Sequence, residues 1–152
     1  MGSIIISDTS CLIALDNIGH LDILQKTFVN IFTTEEVQKE FGRLLPKWIS
    51  IKTINNKLLL KELEAIVDRG EASAIALALE TDDCILIIDE KKGRSLAKSH
   101  HIQIIGTLKT LFIAKQKGVL PLINPLINQL QHKGFRFSSA LLECILEQAG
   151  EL

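Results

Sequence analysis

Two short apolar runs, residues 4–6 and 84–88, follow neither a helical nor an alternating rhythm. Unpatterned runs of this length, rich in isoleucine, suit strands covered on both faces, as in parallel sheets. Each ends at an acid, the first at Asp8 and the second at Asp89 followed by Glu90. Between and around them the rhythm changes repeatedly. Apolar residues from Cys11 onward take helical spacing as far as Gly19, and residues 22–26 form a second short helical piece. Residues 28–32 alternate and predict a second strand. Thr33 with Glu36 then has capping-box spacing for a helix that runs through Glu40 and stops at Gly42. Residues 48–54 alternate again, in the manner of an edge strand.

Residues 57–67 predict a helix with Leu58, Leu59, Leu63 and Ile66 on its apolar face, ended by Asp68, Arg69 and Gly70. Glu71 opens an alanine-rich helix whose propensity is high and whose small side chains permit close approach to a sheet. A basic helix over 91–99, a strand over 102–105 and a helix over 108–116 come next. Pro121 and Pro125 precede a helix over 126–132, and Ser138 is placed to cap a final helix that reaches Gln148. Such β–α alternation predicts an α/β fold: a three-layer sandwich on a mostly parallel central sheet with a helical C-terminal extension. The expectation is a single domain over 1–152, with 119–152 as the helical appendage. Its apolar residues Leu122, Ile123, Leu126, Ile127, Leu141, Leu142, Ile145 and Leu146 have two uses open to them, covering the core or forming a dimer face.

Composition adds limits. With 152 residues and 47% apolar content the chain can bury a real core and is not disordered. No apolar run reaches the roughly 18 residues of a membrane span. No secretory pattern opens the chain, and Ile6 stands where a myristoyl signal on Gly2 needs Ser or Thr. Three cysteines without ligand spacing, Cys11, Cys84 and Cys144, predict buried thiols in a reducing, cytoplasmic setting.

Net charge is only −1, yet it is unevenly spread. Residues 1–90 hold 15 of the 18 acids against 8 Lys and Arg, while residues 91–142 hold no acid and 9 cations. An acidic pocket beside a basic surface suits a phosphate backbone held over metal. Asp8 and Asp89, at the ends of neighbouring buried strands, are poor core residues. Two anions there repel by roughly 4 kcal/mol at about 4 Å and an effective dielectric near 20. A divalent cation removes that penalty, and oxygen ligands without His or Cys select Mg²⁺ or Mn²⁺ over zinc. Glu71 and Glu40 are further acids that packing does not require, although a glutamate in a first helical turn also complements the helix dipole.

Here the residues meet a known family. Asp8-Thr9-Ser10 behind an apolar strand resembles the opening motif of PIN-domain nucleases, and Glu40 matches the family's next acid. Gly70-Glu71-Ala72-Ser73-Ala74-Ile75 and Ile87-Ile88-Asp89-Glu90, with Gly93-Arg94 beyond, resemble the third and fourth motifs of one subgroup. Ile105-Gly106-Thr107-Leu108 and Gly134-Phe135-Arg136 match that subgroup too. The resemblance implies a metal-dependent ribonuclease, often the toxin of a toxin–antitoxin pair, that forms homodimers and is silenced by a small antitoxin protein. In the roles it implies, Asp8, Glu71 and Asp89 bind Mg²⁺ or Mn²⁺ directly, and Glu40 binds directly or through water. Ser10 orients Asp8, with Thr9, Glu90 and Thr107 in supporting positions. Lys91, Lys92 and Arg94, just after Asp89, are candidates to hold the RNA. One departure bears on the number of metal ions: Lys91 stands where many members have a further aspartate.

Other strand-end aspartate folds fit less well. A receiver domain wants an acidic pair after its first strand, a dinucleotide fold wants GxGxxG, and a haloacid-dehalogenase phosphatase wants an aspartate where Ser10 stands. The rival from a different class is a PIN-like scaffold that binds protein or RNA without cutting.

Overall fold

The computed structural model describes residues 3–152; the expectation about Gly2 lies outside them. Five parallel strands form one sheet in the order β3-β2-β1-β4-β5, with β1 at Ile4–Ser7, β2 at Asn30–Thr34, β3 at Ile49–Lys52, β4 at Cys84–Ile87 and β5 at Ile104–Ile105. The expected α/β sandwich is therefore present, and β3 is an edge strand as its alternation implied. Because strand side chains alternate between faces, Ile5 and Ile87 enter one core while Ile6, Leu86 and Ile88 enter the other.

The first core is closed by α1 (Thr9–Asn17), α2 (Asp22–Thr27), α3 (Glu35–Phe41), α7 (Thr107–Gln116) and α8 (Asn124–His132), joined at its margin by α9 (Ser139–Gln148). The second is closed by α4 (Lys57–Glu64), α5 (Arg69–Leu79) and α6 (Lys91–Ser99). The alanines of α5 do what their size allows, and every residue from Gly70 to Ala78 is buried. Strand order reverses between β1 and β4, which pair in register from Ile4 with Cys84 to Ser7 with Ile87. Open α/β sheets bind ligands at such a reversal, beyond the carboxyl ends of the strands.

Several expected boundaries move. β2 starts at Asn30, leaving Val29 84% exposed, and runs on through Thr33 and Thr34. Both threonines are buried because their hydroxyls find partners: Thr33 donates to the Ser7 carbonyl (2.8 Å), and Thr34 pairs with Ser73 (2.7 Å). The cap of α3 is accordingly Thr34, which accepts from the Val37 amide, so there is no Thr33–Glu36 capping box. In α4 the buried leucines are Leu60 and Leu63, whereas Leu58, and Ile66 just beyond the helix, are exposed. The Asp68–Gly70 segment opens α5 instead of ending α4.

In the last two helices Ile123, Leu126, Ile127, Leu130 and Ile145 enter the core, while Leu122 and Leu141 stay about half exposed. The cysteines are free, but only Cys11 is buried; Cys84 is half-buried and Cys144 is exposed on α9, against expectation. No helix among the described residues is long and apolar enough to cross a membrane.

Candidate active site

Asp8 comes directly after β1 and caps α1, its Oδ1 accepting from the Cys11 amide at 3.1 Å. The residue is fully buried, and Oδ2 has no hydrogen-bond partner. Burial pushes its carboxyl well above the usual aspartate value. The Cys11 amide opposes that rise, and the nearby charges of Asp89, Glu71 and Asp68 add to it. Asp89 lies two residues beyond β4 at the neighbouring strand end. Its Oδ1 accepts from the Thr107 amide (2.9 Å) and its Oδ2 from the Thr107 hydroxyl (2.6 Å). The first amide of α7 thus anchors it, a placement the positive end of a helix favours.

Glu40, in the last turn of α3, reaches across to two other segments. Its Oε1 accepts from the Thr9 hydroxyl at 2.6 Å and its Oε2 from the Gly70 amide at 3.1 Å. Glu71, next to Gly70 in the first turn of α5, is 8% exposed. Its carboxyl is pushed up to about 7, first by burial and then by the charges of Asp68, Glu90 and Glu40 around it. Close approach to neighbouring carboxylates explains three glycines. A Cβ on Gly70 would overlap the Glu40 carboxylate. One on Gly93 would lie 2.7 Å from Glu71 Oε2, and one on Gly106 would lie 2.8 Å from Asp89 Oδ1.

The four acids singled out in the sequence therefore lie about the reversal point. Glu40 is tied to the segments that carry Asp8 and Glu71 through Thr9 and Gly70, Gly93 makes room for Glu71, and Thr107 holds Asp89. A fifth acid was missed. Asp68 caps α5 through the Glu71 amide (2.9 Å) and adds its charge to both Asp8 and Glu71. The signal was present, an aspartate three residues before Glu71, but Gly70 made the segment read as a break. Glu90 is exposed at the start of α6 and contributes charge beside Glu71.

Not every expected residue takes its expected place. The hydrogen bond to Asp8 comes from the Cys11 amide, whereas Ser10 is exposed and faces Asp89, Glu90 and Arg136 across a small cavity. Lys91 and Lys92 are exposed in the first turn of α6 and line neither of the two cavities that Asp89 borders. Arg94 does line one, and its Nη1 donates to the Ile88 carbonyl at 2.7 Å.

The donor set is all oxygen, and the orphaned Asp8 Oδ2 beside a protonation-prone Glu71 is the arrangement a divalent cation relieves. As the side chains stand, no group of three or more His, Cys, Asp or Glu among the described residues is arranged to hold a metal ion. No curated protein and no solved structure gives a significant match to the chain. The family model DUF3368, a PIN domain, matches residues 4–151, which is nearly the whole chain. The chain belongs to the PIN-domain family, a superfamily of nucleases.

Proposed function

We propose that the protein is a divalent-metal-dependent endoribonuclease that hydrolyses RNA phosphodiesters, acting in the cytoplasm as the toxin of a toxin–antitoxin pair. One observation carries the reading: Asp8 Oδ2 is buried without a partner among carboxylates that already repel it. Asp8, Glu71 and Asp89, with Glu40, would hold Mg²⁺ or Mn²⁺. Such an ion supplies a water of lowered pKa and neutralises charge on the phosphodiester oxygens.

The chain's own groups prepare the site. The Cys11 amide fixes one Asp8 oxygen and leaves the other buried without a partner. Thr107 holds Asp89 at both oxygens, and Thr9 with the Gly70 amide holds Glu40, so these acids are oriented before substrate arrives. Gly93 leaves room for the Glu71 carboxylate against α6.

The first test is calorimetry with Mn²⁺ beside a cleavage assay on RNA. Wild type should bind the ion and cut. Asp8→Asn, which keeps shape and removes one charge, should lose both by at least tenfold while melting as a folded protein. Cleavage retained by that variant, in a preparation free of contaminating nuclease, would count against the assignment. The second reading is a PIN module that binds RNA or protein without cutting. Wild type that binds no Mn²⁺ would decide for it. The toxin role and the homodimer rest on the family resemblance. A short upstream reading frame ending in an acidic amphipathic tail would support the toxin role.

A further inference from the structure

The segment joining α8 to α9 crosses the rim of this site. Gly134 takes a left-handed φ of 96°, which glycine adopts without steric cost, and the Phe135 amide donates back to the Leu130 carbonyl at 3.0 Å. This ends α8 and fixes the direction in which the chain leaves it. Phe135 and Phe137 are half-buried against the first core, with ring centroids 5.0 Å apart. Arg136, between two anchored side chains, is turned outward and exposed.

Arg136 lines a cavity of about 320 Å³ together with Ser10, Asp89, Glu90 and Phe135. Asp89 also borders a second cavity of about 390 Å³, whose cations are Arg94 and Lys109. Cationic groups thus line both of these cavities that Asp89 borders. Among the described residues Arg136 makes no ion pair, although it shares its cavity with two acids. A polynucleotide over these carboxylates needs compensating charge where its phosphates lie. A guanidinium on an anchored turn supplies that charge with a planar fork that matches phosphate oxygens.

We propose that Arg136 holds a backbone phosphate of the bound RNA strand in the cavity it shares with Asp89, next to the cavity that Arg94 and Lys109 line. The strand then passes Asp89 with a cationic group in each adjoining cavity. This places substrate recognition on the 134–137 turn in addition to α6, and it rests on the nuclease reading of the site.

The test is fluorescence anisotropy of a labelled single-stranded oligoribonucleotide with the full chain in EDTA, where cleavage cannot confuse binding. Arg136→Ala should weaken affinity about tenfold and reduce the slope of log K against log salt by about 0.7, the share of one phosphate contact. Arg136→Lys should keep the slope and recover part of the affinity, which also checks that the turn tolerates substitution. Arg43→Ala is the control for net charge, because Arg43 is already paired with Asp16 and should change neither quantity. Unchanged affinity and slope in Arg136→Ala, an equal loss in the Arg43 control, or no binding by wild type would each overturn the proposal. Binding that depends on Arg136 in a protein that never cuts with Mn²⁺ would sustain it and sink the nuclease reading instead.

Discussion

Glu71 and Asp8 share one titration behaviour, with a consequence opposite to the usual carboxylate. The folded chain keeps a proton on Glu71 up to about pH 7, whereas an unfolded glutamate releases it near 4.5. Its contribution to stability is therefore fully present below about 4.5 and lost as pH rises through 7, and the raised Asp8 carboxyl acts in the same direction. With chelator present, Tm should fall by several degrees between about pH 5 and pH 8. Glu71→Gln, which imitates the protonated form, should flatten that dependence, and saturating Mn²⁺ should do the same in wild type. A pH-independent Tm in metal-free wild type would remove the electrostatic basis of the site. Asp8 and Asp89 were legible in the sequence because an acid ending an apolar run is rarely there for packing. The position of Ser10 was not, since the partner that displaces it is a backbone amide, which leaves no mark on residue type.

At the scale of elements, the sequence misled where polarity and burial part company. Thr33 and Thr34 look like the outside of a strand, yet they are buried by hydroxyl partners from β1 and α5, and that moves β2 and the cap of α3. Gly70 looks like a helix stop, yet it is a helical residue whose missing side chain makes room for Glu40. Helices with strong rhythm, such as α6 and α9, were legible to the residue. The corrected start of α5 makes Asp68 both its cap and a source of repulsion. Asp68→Asn keeps the capping oxygen and removes the charge, so the Glu71 carboxyl should titrate lower by NMR while the helix stays capped. An unmoved Glu71 titration would show that Asp68 plays no part in raising it.

Across the whole molecule, three helices of the first core are locked by one carboxylate near the chain's end. Glu151, whose side chain is 4% exposed, accepts from the amides of Ile123 (2.9 Å) and Asn124 (2.8 Å) at the start of α8, and from Lys115 of α7 at 2.8 Å. Lys115 also donates to the Ala149 carbonyl beyond α9 at 2.6 Å. Burial raises the Glu151 carboxyl, but the Lys115 and amide hydrogen bonds outweigh it and hold it below the ordinary glutamate value. Glu151→Gln should cost about 1–3 kcal/mol, read as a lower urea midpoint with the slope unchanged. Because this lock holds α8 and α9, the 134–137 turn should also lose order, and RNA affinity should fall with it. Equal affinity in that variant would show that the turn is held by its own phenylalanines.

The exposed stretch from Gly42 to Leu44, between α3 and β3, divides the acids two and two, with Asp8 and Glu40 before it and Glu71 and Asp89 after it. A gene severed there would yield two inert halves. Any chemistry regained on mixing them would report that β1 has found β4 and β2 has found β3, so this chain has the layout of a reassembly reporter.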